Sequence, residues 1–154
     1  MGLEFPVLTI LLSVVFLVVV LSTLLLHLHV VSEASRLPVV NVEARAFCTN
    51  NSTVRLVVVL RHARGDPVKV LYVNVTTEKG LVDPWREPGT RVMVLGLHSG
   101  KLQTGSTGYI IMDFSSEYFS SAKWYNVLIV LDTGTLIANF TPECTYEYPR
   151  VFAP

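Results

Sequence analysis

The chain has 154 residues, 51% hydrophobic and 16% charged, with 12 Lys and Arg against 12 Asp and Glu and no net charge. Once a long apolar stretch near its start is set aside, that length leaves room for one modest domain. Its basic residues are scattered and balanced, so the chain lacks the electrostatic footprint that nucleic acid requires, and that partner class is excluded.

The apolar excess over an ordinary soluble protein sits mostly in Pro6 to Val31, PVLTILLSVVFLVVVLSTLLLHLHVV, which contains no Asp, Glu, Lys or Arg. At about 1.5 Å per residue this run more than spans a hydrocarbon core of roughly 30 Å, and a buried helix of a soluble fold is shorter. A cleaved secretory signal is the competing reading. The run exceeds the usual signal core, no basic residue precedes it, and SEASRLP after it is a poor cleavage site, so a retained helix is expected. Val14, Val18 and Leu21, spaced by four and three, share one helix face and are the expected packing positions. His27 and His29 stand about 200° apart around the axis, too far to share a metal, and are expected to anchor at the interface.

Pro38 ends the helix, because the residue before a proline is pushed out of the helical region. Residues 1–37 therefore form the hydrophobic helix and 38–154 a β-sandwich domain. Val40, Val42, Ala44 and Ala46 alternate with polar neighbours, the period of a strand with one buried face. Val54 to His62 (VRLVVVLRH) is β-branched and reads as a central strand. Arg64-Gly65-Asp66-Pro67 has turn composition, which accounts for its match to a cell-adhesion tripeptide. The alternation of Val68, Val70, Tyr72, Asn74 and Thr76 after it predicts a hairpin with the preceding strand. Residues 78–90, rich in Pro, Gly and charge, are expected to be a loop.

Further strands are expected over Arg91 to His98, Thr107 to Phe114, Trp124 to Asp132 and Gly134 to Thr141, the last two joined as a hairpin through Thr133-Gly134. The class that results is α+β: one long N-terminal helix, then an all-β immunoglobulin-like sandwich of about seven strands. A partly open barrel is the alternative.

Cys48 and Cys144 bracket nearly the whole β region, and a disulfide between them is expected, two buried thiols being the alternative. Closing so long a loop stabilises by about 4 to 5 kcal/mol in the chain-entropy model. Asn50, Asn51, Asn74 and Asn139 each begin N-x-[ST]. Together with the paired cysteines they favour a glycosylated surface outside the cytosol.

Catalytic patterns are missing: there is no G-x-S-x-G, H-E-x-x-H, phosphate-binding glycine loop or C-x-x-C. No enzyme activity, cofactor or metal is expected. His62, His98 and Asp113 would form a metal site only if folding gathered them, and strand-end histidines are usually solvated. Trp85, Tyr109, Tyr118, Trp124 and Tyr125 suggest carbohydrate stacking, with core and rim packing the more usual role for such residues.

The uninterrupted run from Pro6, the segment VRLVVVLRHARGDPVKVLYVNV and the segment WYNVLIVLDTGTLIANF together resemble archaeal type IV pilins and archaellum subunits, over nearly the whole chain. The resemblance implies a structural subunit of an extracellular filament for adhesion or motility. It would be held in the membrane by its helix and then assembled through helix packing, with the sandwiches outward. The partners implied are further copies of the chain and, before assembly, the membrane; surface glycans join them through the sequons. Glu4 resembles the acidic residue that bacterial pilins keep near their N-terminus, where it meets a neighbour's amino group; the plainer role is a carboxylate favoured by the helix dipole. The alternative class is a membrane-anchored extracytoplasmic β-domain serving as an accessory or stator-like subunit of a membrane complex.

Overall fold

The computed structural model describes residues 4–50 and 52–144; Asn51 and the side chains of Glu4 and Phe5 lie outside what it describes. Two compact units make up the chain, Met1–Leu37 and Pro38–Pro154. The first is a single helix, α1 (Glu4–Arg36). Pro6 falls in its first turn, where a missing N–H breaks no helical hydrogen bond. The hydroxyls of Ser13, Ser22 and Thr23 donate to the carbonyls of Thr9, Val18 and Val19 one turn back, so these polar side chains make no demand on the surroundings.

The described residues of the second unit form ten strands: β1 (Val39–Asn50), β2 (Thr53–Arg64), β3 (Val68–Thr77), β4 (Gly80–Val82), β5 (Arg91–Leu95), β6 (Lys101–Leu102), β7 (Thr107–Ser115), β8 (Tyr125–Leu131), β9 (Gly134–Phe140) and β10 (Pro142–Glu143). One sheet runs β10-β1-β2-β7-β5 and the other β4-β3-β8-β9, with β6 added to β3. Leaving out the two-residue strands, these orders match the A-B-E-D and C′-C-F-G sheets of the immunoglobulin-like sandwich. The seven long strands lie where the sequence placed them, except that β5 stops at Leu95 rather than His98, because Gly96 turns the chain at φ 74°. β4, β6 and β10 are too short to carry a periodic signal, and β4 falls inside the expected loop of residues 78–90.

The expected hairpin across Arg64–Pro67 does not form. β2 pairs with β1 on one side and β7 on the other, whereas β3 pairs with β4, β6 and β8. With both edges of β2 taken, the turn instead carries the chain from one sheet to the other. Gly65 sits there at φ 95°, a conformation that glycine adopts freely.

The alternation expected for β3 also breaks. Val68 is buried and Val70 half-buried, Leu71 and Tyr72 are both exposed, and then Val73, Val75 and Thr77 are buried. A register shift between Val70 and Tyr72 against β8 marks a β-bulge that moves the buried set by one residue.

Between the sheets, Val54, Leu56, Val58, Leu60, Ile110, Met112 and Phe114 meet Val73, Val75, Val127, Ile129 and Phe140. One end is closed by an aromatic cluster in which Phe119 packs edge-on against Phe114, Tyr125 and Phe140, with ring centres 5.1 to 5.6 Å apart. Edge-to-face pairs of this kind add to the burial of their area.

Candidate functional site

Every described residue of α1 from Pro6 to Arg36 is exposed. Val14, Val18 and Leu21 are 54–55% accessible, level with residues on other faces such as Val19 and Leu24 at 54 and 53%, and below Leu12 and Phe16 at 64 and 70%. The helix thus has no polar side, which is the pattern of a segment surrounded by apolar material on all sides. Its length and composition suit membrane insertion or a signal sequence. His27 and His29 are exposed near its C-terminal end, where Glu33 and Arg36 form an exposed ion pair at 3.7 Å.

Cys48 and Cys144 are disulfide-bonded, with Cα atoms 4.9 Å apart. The parallel β1–β10 ladder pairs Ala46 with Pro142 and Phe47 with Glu143, so the cysteines are the next residues in register. Among the described residues no cysteine is free.

Three of the sequon asparagines lie on described surface. Asn50 is exposed at the end of β1, its side-chain oxygen accepting from the Ser52 amide and hydroxyl at 3.0 and 3.1 Å. Asn74 is half-buried on β3 opposite Leu128, and Asn139 is exposed on β9 opposite Asn126.

The sequence's other candidates are dispersed by the fold. His62 is buried, at 1% exposure, and among the described residues neither ring nitrogen has a hydrogen-bond partner. His98 is exposed in a separate turn. Asp113 pairs with Arg55 across β2 and β7, while His62 lies seven residues farther along β2, about 23 Å at strand rise. Among the described residues no group of three His, Cys, Asp or Glu side chains could hold a metal. Of the aromatic candidates, Tyr118 and Tyr125 belong to the core. Tyr109 is exposed on the first sheet, Trp124 just before β8 and Trp85 in the segment after β4, so they share no platform.

Two polar arrangements stand out electrostatically. Lys123 and Tyr125 both donate to the Glu78 carboxylate, at 2.8 and 2.6 Å. The lysine's hydrogen bond first, then those of Tyr125 and Ser120, hold Glu78 down from 4.5 to about 2. Nearby, Lys79 bonds Glu117 at 2.7 Å and lies 4.1 Å above the Tyr118 ring, and the Tyr118 hydroxyl donates to Glu87. These contacts fasten the connector after β7 to the β3–β4 turn and, through Tyr118 and Glu87, to the segment after β4, so they tie neighbouring chain segments together.

The second arrangement is a bidentate pair in which Arg55 Nε and Nη2 donate to Asp113 Oδ1 and Oδ2 at 2.6 and 2.8 Å. The Arg55 hydrogen bond, with help from the charge of Arg91, lowers the Asp113 carboxyl below its usual range.

That pair borders a feature alternation did not reveal. The register aligns Val57, Ile111 and Met93 in one row across β2, β7 and β5, and Val59, Tyr109 and Leu95 in the next. These six side chains form an apolar block on the outward face of the first sheet; Met93 is 57% exposed and Leu95 48%. Behind β5 lies an open groove of about 410 Å³ whose walls include Tyr72, Trp85, Val94 and Leu97. It exists because β4 and β6 cover only the two ends of that side of β3.

No protein-family model and no curated protein matches the chain. Among solved structures, a family 123 glycoside hydrolase from Clostridium perfringens, described for glycolipid glycan hydrolysis, superposes with a TM-score of 0.37 at 9% identity. The match covers 67% of this chain and 23% of the hydrolase. A likeness of that size carries no argument. The helix followed by a β-sandwich is compatible with a membrane-anchored surface protein and with the layout of pilins.

Proposed function

We propose that this protein is a pilin-like structural subunit of an extracellular type IV-like filament, built from further copies of itself and serving adhesion or motility rather than catalysis. The observation that carries the reading is α1: apolar and exposed on every face, with the hydroxyls of Ser13, Ser22 and Thr23 bonded back to its own backbone. Such a surface is satisfied about equally by lipid chains and by identical helices, so the same segment suits a membrane-held precursor and a filament core. The disulfide and the exposed sequon asparagines agree with a sandwich displayed outside the cell.

The test is electron microscopy of material sheared from the cell surface. Filaments whose density accommodates this chain, with α1 inside and the sandwich outside, are the expected result. Recovery of the protein solely as a detergent-soluble member of a membrane complex would overturn it in favour of an accessory or stator-like subunit.

A further inference from the structure

Among the described residues the two sheets have five edge strands, and four are sheltered or very short, β6 having two residues. β10 has two residues and leads directly into the disulfide. β4 has three residues and is followed closely by Pro84. β9 packs against β1 of the facing sheet. β5 differs: it pairs on one side only, with β7, and Val92 to Leu95 contain no lysine, proline or register shift. Met93, Val94 and Leu95 are 57, 41 and 48% exposed in succession, so this edge is open on both faces. Unpaired backbone groups beside exposed apolar side chains are the features that recruit another strand, and proteins ordinarily guard against them.

We propose that β5 is a self-association strand: two copies of this chain pair β5 with β5 in antiparallel register about a two-fold axis at Met93, joining their first sheets into one.

The occupant must supply a strand edge, because what lies open is a row of N–H and C=O groups. A second β5 also fits the side chains. The two-fold register sets Met93 against Met93 and Val92 against Val94, while Arg91 faces Leu95 of the other copy. No like charges oppose one another, and β-branched and apolar pairs of this kind stabilise an antiparallel ladder. The outward row Val57–Ile111–Met93 continues without a polar break into Met93–Ile111–Val57 of the second copy. Each Arg91 comes within reach of the second copy's Tyr109 ring, one strand beyond Leu95, where a guanidinium is attracted to the ring face. Pairing five residues falls short of the roughly 1,200 Å² of a standard stable interface. The contact is therefore weak between dilute molecules and becomes populated where copies are concentrated by a shared membrane or assembly. It concerns the β domain and stands whether or not the helices polymerise.

The test uses the full chain in detergent micelles. Met93→Cys adds a thiol at an exposed site while the native cysteines stay bonded to each other. Mild oxidation should give a linked dimer that increases with protein concentration. Ile137→Cys, 62% exposed on β9, should link at least tenfold less and controls for helices that bring copies together in micelles. Adding Leu95→Lys to Met93→Cys sets a lysine against Arg91 of the other copy and should cut linking several-fold, with an unchanged melting temperature showing that the fold is intact. Equal linking at positions 93 and 137, indifference to Leu95→Lys, or a monomer at every concentration would overturn the proposal. So would a Met93→Cys variant that forms its disulfide adduct solely with a different polypeptide.

Discussion

Apolar side chains of α1 such as Val20 and Phe16 are 46 to 70% accessible, whereas Leu56, Val58, Leu60, Val73 and Ile129 in the sandwich are fully buried. The two regions have similar appetites for apolar surroundings and satisfy them differently. The sandwich supplies its own, by folding one sheet against the other. The helix has none within its unit, and its environment must provide them. Stability should accordingly be a property of residues 38–154, and assembly or membrane insertion a property of residues 1–37.

The largest expected effect tests the self-sufficiency of the sandwich. Replacing Cys48 and Cys144 together with alanine removes a crosslink spanning 96 residues and should cost about 4 to 5 kcal/mol. Thermal melts of oxidised wild type and the double variant measure it; membrane partitioning should be the same for both. A change in partitioning with no change in melting would reverse the division.

The converse experiment is Val18→Asp. An aspartate at a membrane-helix centre costs about 2.5 to 3.5 kcal/mol on insertion scales, and a dry helix bundle disfavours it similarly. Insertion, or filament formation where it occurs, should fail while the β-sheet signal and melting temperature of the sandwich stay unchanged. Normal filaments from this variant would break the comparison.

His62 sharpens the sandwich side. A buried imidazole whose nitrogens have no partner among the described residues forgoes hydrogen bonds that water would have supplied, so His62→Leu, of similar volume, should raise stability by about 1 kcal/mol in a denaturant titration. A loss of stability would mean that the ring finds partners in solution.

The smallest effect concerns pH. Glu78 is held at about 2 in the folded domain against an ordinary 4.5. The unfolded chain therefore binds the proton first, and the resulting stability is present above about pH 4.5 and lost as pH falls toward 2. The group is at the surface and screened, so the effect is small. Melting temperatures of wild type and Glu78→Gln should converge over that window, with no change in the helix. A constant difference from neutral pH to pH 2 would remove Glu78 from the acid response.

Elements with a long, local signal were legible from the amino-acid order alone. A run of apolar residues from Pro6 to Val31 admits little besides an all-apolar helix. Alternation from Val40 to Ala46, or the paired segments around Thr133-Gly134, marks a strand because one face of it must be buried. The pairing of Cys48 with Cys144 was legible for a different reason, as these are the two cysteines of the sequence and they bracket nearly the whole β region. Alternation says that one side of a strand is covered and is silent about the neighbour. Only the tertiary structure decided that Arg64–Pro67 crosses between sheets, since that depends on β1 and β7 having already claimed both edges of β2. The β3 bulge, the burial of His62, Tyr118 and Tyr125, and the outward apolar block from Val57 to Met93 share that cause. Each is set by which strands lie side by side and in what register, and those are long-range pairings that no local stretch of sequence encodes.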